Sequence, residues 1–191
     1  MLRVMLIDEF SERSAPLRDF LLEAGYEVVG QLASTADLNR AVAQLQPDVI
    51  IIDTESPSRD TLEHICVVSR DDPRAIVMFT HDGETEKIRA ATRAGVSAYV
   101  VGGLDSARLK PILEAAMVRF DEYQALRHAL ESTTTKLAER KEIERAKGIL
   151  MKQRGLDEDA AYQALRKMAM ERGTRLSEIA RQVIQAAALL S

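Results

Sequence analysis

Three carboxylates and a hydroxyl stand directly after short apolar runs. Asp8 and Glu9 follow RVMLI (3–7), Asp53 follows DVIII (48–52) and Thr80 follows AIVMF (75–79). Carboxylates gathered in one crevice repel one another unless a cation sits among them, and donors that are all oxygen suit a hard ion such as Mg²⁺. One carboxylate to accept, two to hold a metal and one hydroxyl to bond a phosphoryl oxygen make a phosphoryl-transfer pocket in outline.

Such a pocket needs elements that bring distant positions together. Two further apolar runs, YEVVG (26–30) and AYVV (98–101), complete a series of five, and helical patterns lie between them. Leu17, Phe20, Leu21 and Ala24, for example, have the three-and-four spacing of an amphipathic helix, closed by Gly25. Strands alternating with helices form a parallel sheet covered on both faces, with functional residues at the carboxyl ends of its strands.

With the acidic pair Asp8 and Glu9, then Asp53, Thr80 and Ala94-Gly95 in that order, residues 1–120 resemble the response-regulator receiver family. The resemblance implies a flavodoxin-like, doubly wound α/β domain. Asp53 is then the phosphoacceptor, Asp8, Glu9 and Asp53 admit Mg²⁺ without requiring it, and Thr80 is the switch hydroxyl. SAYVVGGLD (97–105) departs from the pattern: Gly102 stands where a receiver has lysine, and Gly103 where it has a proline after a cis peptide. Loss of that cation weakens phosphoryl binding by one charge-assisted hydrogen bond, roughly 1.5–3 kcal/mol. The loop TESPSRDTLEH (54–64) also departs, and Arg59 within it is a nearby cation that could take the lysine's place.

At 191 residues and 46% apolar content, the chain can form one core of ordinary size and a smaller one. It has no apolar run of membrane-spanning length, and acidic residues stand early in MLRVMLIDEF, so a cytoplasmic protein without a signal peptide is expected. Cys66, alone in HICVV, reads as a buried structural thiol. Charge divides the chain: residues 1–135 carry 14 Lys+Arg against 22 Asp+Glu, a net −8, and residues 136–191 carry 12 against 8, a net +4. The two ends call for different partners.

From Leu109 to about Gln153 the only proline is Pro111, expected in a first turn, and the only glycine is Gly148. Ala116, Tyr123, Leu130 and Leu137 recur every seven residues, with Leu113, Phe120 and Leu126 between, which is a coiled-coil seam. The seam implies a partner helix, most simply from a second copy, with Thr133 to Thr135 as its weak point and an expected break. A linker helix is thus assigned to residues 109–140.

Residues 136–191 read as a small three-helix, all-α domain. The first helix turns Ile143, Ala146, Ile149 and Leu150 inward and ends near Gly155. Asp157 caps the second, which turns Ala161, Leu165 and Met168 inward and closes at Gly173. The third starts near Leu176 with Ile179, Ala180, Val183 and Ile184 inward. Basic residues occupy the remaining faces, a pattern suited to phosphate contact.

The run Glu144-Arg145-Ala146-Lys147-Gly148-Ile149-Leu150-Met151, followed by Ala161-Tyr162, Leu165-Arg166, Ala169-Met170, Arg175-Leu176 and Glu178-Ile179-Ala180, resembles the ANTAR domain. That family is a three-helix RNA-binding module of bacterial antiterminators. The resemblance implies Arg145, Ala146, Lys147, Gly148, Lys152, Tyr162, Arg166 and Arg175 as RNA-binding residues. Ala146 and Gly148 would let an RNA backbone approach, and Lys147 would meet a phosphate. Lys147→Ala is then expected to weaken RNA binding and lower its salt dependence.

The whole chain is similar to the NasT type of nitrate-responsive antiterminator. The similarity implies a non-enzymatic regulator that binds paired hairpins in leader mRNA and prevents termination ahead of nitrate and nitrite assimilation genes. A nitrate-sensing, solute-binding-like partner of the NasS type would control it, acting on a homodimer held by the coiled coil. Two other readings stay open on the residues alone. One is a response regulator driven by phosphorylation of Asp53; the other is a DNA-binding helix-turn-helix, because RLSEIARQVI (175–184) resembles its second helix.

Overall fold

A computed structural model describes residues 1–8, 11–103 and 106–189. It divides into two compact units, Met1–Gln124 and Ala125–Ser191.

The first unit alternates strand and helix. Its strands are β1 (Arg3–Asp8), β2 (Glu27–Leu32), β3 (Val49–Asp53), β4 (Ala75–Thr80) and β5 (Ala98–Val101). Between them lie α1 (Ser11–Glu23), α2 (Leu38–Leu45), α3 (Arg59–Asp71) and α4 (Thr85–Ala94), and α5 (Ser106–Arg154) follows β5. The strands form one parallel sheet in the order β2-β1-β3-β4-β5. β1, β3 and β4 are buried nearly end to end, as expected of strands covered on both faces.

Alternation along the strands sends successive residues to opposite faces. Met5, Ile7, Ile50, Ile52, Ile76 and Met78 pack with Leu38, Val42, Ile65, Val68, Ala91 and Ala94 of α2, α3 and α4. Val4, Leu6, Val49, Ile51, Val77 and Phe79 pack with Leu17 and Leu21 of α1 and with Leu109, Leu113 and Ala116 of α5. This is the doubly wound arrangement expected. Cys66 corrects the expectation made for it: it is exposed, because Thr61, Ile65 and Val68 form the inward row of α3 and Cys66 falls beside that row.

The start of α5 corrects the seam. Leu113 and Ala116 are buried against their own sheet and Phe120 is packed beside them, so they are not available to a partner helix. Fully burying a leucine is worth about 1.5–3 kcal/mol, and the sheet face collects that gain. The unpartnered part begins later, at Tyr123, Leu126, Leu130 and Leu137, which are 55–69% exposed. Pro111 lies about one turn deeper than expected, because α5 starts at Ser106. The break expected at the threonines is absent: α5 is continuous, and the hydroxyls of Thr133 and Thr134 donate to the carbonyls of Ala129 and Leu130 at 2.8 and 2.9 Å. Threonine can bond back to the preceding turn in this way and stay helical.

The second unit continues α5 with α6 (Glu158–Arg172) and α7 (Leu176–Leu189). Asp157 caps α6 by accepting from the Ala160 amide at 2.7 Å, and Gly173 ends it in a left-handed conformation. Ala146, Leu150, Ala161, Leu165, Ala169, Ile179 and Ala180 form a small core of largely short side chains, which lets the three helices pack closely.

Candidate functional sites: an acidic strand-end pocket and a basic helical face

Asp8 and Asp53 stand opposite each other in the β1–β3 ladder, and both are buried. Glu9 lies outside the described residues. Thr80, at the end of β4, is fully buried, and its hydroxyl donates to the Glu55 carbonyl at 2.7 Å while accepting from the Asp82 amide at 3.1 Å. Its Oγ is thus committed to the loop after β3. The Ser56 hydroxyl donates to Asp82 at 2.6 Å and the Tyr99 hydroxyl to the Asp82 carbonyl at 2.9 Å, tying the loops after β3 and β4 to β5. The Ser56 bond, joined by the Glu84 amide, holds the Asp82 carboxyl below the ordinary carboxylate range. Burial, reinforced by the Asp82 charge, pushes the Tyr99 phenol up.

At the end of β5, Gly102 and Gly103 form a turn. Gly102 and Gly103 adopt φ of 103° and 77°, and both amides donate to the Thr80 carbonyl at 3.0 and 3.2 Å. A side chain at 102 would carry the strain of positive φ, and a Cβ at 103 would come within 3.0 Å of the His81 ring. The backbone at the position expected to stand in for a lysine therefore favours glycine. Arg59 does not take the lysine's place: its side chain is 90% exposed and paired with Glu63 on α3 at 2.8 Å. A cation that does reach these loops is Lys87, which donates to the Pro57 carbonyl at 3.3 Å. Sequence reasoning missed it, because only the α3–α4 packing brings residue 87 to residue 57.

In the second unit the predicted RNA-binding residues separate into three groups. Ala146 is fully buried in the helical core, so it offers no open surface; this corrects its assignment. Lys147 is also corrected. Its side chain is 10% exposed, and its ammonium meets Glu158 at 2.8 Å and Glu144 at 2.9 Å. These two partners, Glu158 first, raise the Lys147 pKa, and Lys147 in turn lowers that of Glu158. Lys147 therefore ties α5 to the start of α6 and is not an open cation.

The third group faces outward. Arg145, Gly148 and Lys152 are exposed on α5, Tyr162 and Arg166 on α6, and Arg175 precedes α7. Other cations are used internally: Arg181 Nε and Nη2 each donate to Glu142 at 3.2 Å, and Arg172 donates to Gln182 at 2.6 Å. Among the described residues Arg145, Lys152, Arg166 and Arg175 make no ion pair. Ile149, expected inward, is half-buried at the edge of a groove between α5 and α7.

Comparison with known proteins gives both units a family or domain. The model of the response regulator receiver domain matches residues 4–114. The chain belongs to the response regulator receiver family. The ANTAR domain model matches residues 124–184, so an ANTAR domain follows the receiver domain. The chain is similar to the transcriptional regulatory protein PdtaR of Mycobacterium tuberculosis, at 29% identity over 96% of this chain and 89% of that protein. It is also similar to a nitrate regulatory protein of Klebsiella oxytoca, at 44% identity over 42% of this chain and 20% of that protein. In fold the receiver unit resembles the signal receiver domain of a modulated diguanylate cyclase from Desulfovibrio desulfuricans. That match has a TM-score of 0.56 at 21% identity and covers 64% of this chain and 99% of that one.

Receiver and ANTAR domains together make a regulator. Among the described residues of both units, no helix is long and apolar enough to cross a membrane.

Proposed function

We propose that this regulator is an RNA-binding, non-enzymatic transcription antiterminator that acts in the cytoplasm. It binds paired hairpins in leader mRNA and prevents the terminator from forming. The observation that carries the reading is the set of cations on the ANTAR unit, Arg145, Lys152, Arg166 and Arg175, left outside internal ion pairs and facing solvent. Counterion release on contact with phosphate gives such a face its affinity. The likeness to a nitrate regulatory protein favours nitrate and nitrite assimilation genes as targets.

Control by a partner sensor, of the NasS type, is favoured by the glycine turn at 102–103. The ion pair that would report a phosphoryl group on Asp53 is lost there, so input comes through a docked protein. Asp8 and Asp53 would hold Mg²⁺ if one binds, their oxygen donors suiting a hard cation. A homodimer through the exposed apolar row of α5 would present two ANTAR units to the two hairpins.

The test is a gel-shift titration of the full chain against a paired-hairpin leader RNA at fixed salt, with and without a phosphodonor, and with duplex DNA as competitor. Tight RNA binding that ignores both donor and duplex is expected. No binding, or equal competition by duplex DNA, would overturn it.

A further inference from the structure

The groove between α5 and α7 of the ANTAR unit has a volume of about 440 Å³. Ile149, Ile184 and Ala188 are its apolar lining, Arg145, Lys152 and Gln153 line it from α5, and among the described residues no carboxylate lines it. That volume falls in the range of small-ligand sites. Arg145 and Lys152, seven residues apart, share one face of α5 about 10 Å apart along its axis.

Gly148 lies between them on the exposed side. A Cβ there would meet no atom within 4 Å, so packing does not require glycine. Glycine inside a helix weakens it, and what it offers in return is close approach of another backbone.

We propose that this groove receives one unstacked base from the hairpin loop. The base lies on Ile149 and Ile184, the Gln153 amide, both donor and acceptor, reads its edge, and Arg145 and Lys152 meet phosphates on either side as the strand passes over Gly148. The inference rests on the RNA-binding reading and names the place where sequence is read.

The experiment uses the full chain and a paired-hairpin leader RNA in which loop nucleotides are made abasic one at a time. Ala188→Trp fills the groove without changing charge, and Gln153→Ala removes the edge reader from an exposed position. Ala188→Trp is expected to weaken binding to intact RNA at least tenfold with an unchanged salt slope. One abasic position should weaken the wild-type complex by a similar factor and cost Ala188→Trp nothing further. Gln153→Ala should relax base preference at that position alone, with an unchanged melting temperature. Ala188→Trp binding within twofold of wild type, or abasic penalties identical in both proteins, would overturn the proposal. If the tryptophan lowers the melting temperature, Gln153→Ala decides, and full retention of base preference overturns it. Absence of wild-type binding to any hairpin would overturn the antiterminator reading and this one together, whereas wild-type binding with an unaffected Ala188→Trp overturns this one alone.

Discussion

Arg145 and Lys147 lie two positions apart on α5 and meet opposite electrostatic surroundings. Two helical steps turn a side chain through roughly 200°, which carries Lys147 to the carboxylates of Glu144 and Glu158 and leaves Arg145 at the α7 groove. Lys147→Ala is therefore expected to lower the melting temperature and leave the salt slope of RNA binding unchanged, while Arg145→Ala lowers that slope by roughly 0.7–0.9. Slopes measured for both variants decide between a structural and a phosphate-binding lysine.

The same clamp has a pH signature. Lys147 holds the Glu158 pKa down, so its stabilisation is present above the ordinary glutamate pKa of about 4.3 and is lost as pH falls through the depressed value. Lys147 itself is raised, so the alkaline loss comes above the ordinary lysine range. Melting temperature followed from pH 6 to pH 3 should fall more steeply for wild type than for Lys147→Ala. Gly148→Ala is expected to stabilise the fold by about 0.5–1 kcal/mol in chemical denaturation while weakening RNA binding.

At the scale of elements, α5 serves two environments with one apolar row. Leu113 is fully buried against the receiver sheet, and Leu130 is 67% exposed. Leu113→Ala should destabilise the receiver unit by about 2–5 kcal/mol. Leu130→Glu should leave its unfolding midpoint unchanged and shift the chain from dimer to monomer in light scattering. A monomeric wild type, or an unaffected dimer, would remove α5 as the interface. The heptad spacing was legible in the sequence, but which residues met the sheet was not. Periodicity marks an apolar face without saying what covers it.

At the scale of the whole molecule, signal and output are set apart in charge and in fold. If Gly102, at positive φ, stands at the receiver lysine's position as proposed, a phosphoryl group on Asp53 would lack that partner. A phosphodonor should change RNA affinity less than twofold in wild type and in Asp53→Ala alike. A tenfold rise abolished by Asp53→Ala would restore phosphorylation as the switch.

The sequence by itself determined the five-strand alternation, the strand-end positions of Asp8, Asp53 and Thr80, and the Asp157 and Gly173 boundaries of α6. Each depends on local period, capping or chain order. Only the tertiary structure decided that Thr80 bonds the Glu55 carbonyl, that Lys87 and not Arg59 reaches the strand-end loops, and that Lys147 is neutralised while Arg145 is not. Side-chain charge is written in the sequence, but whether it stays open to a ligand depends on carboxylates brought to it by packing.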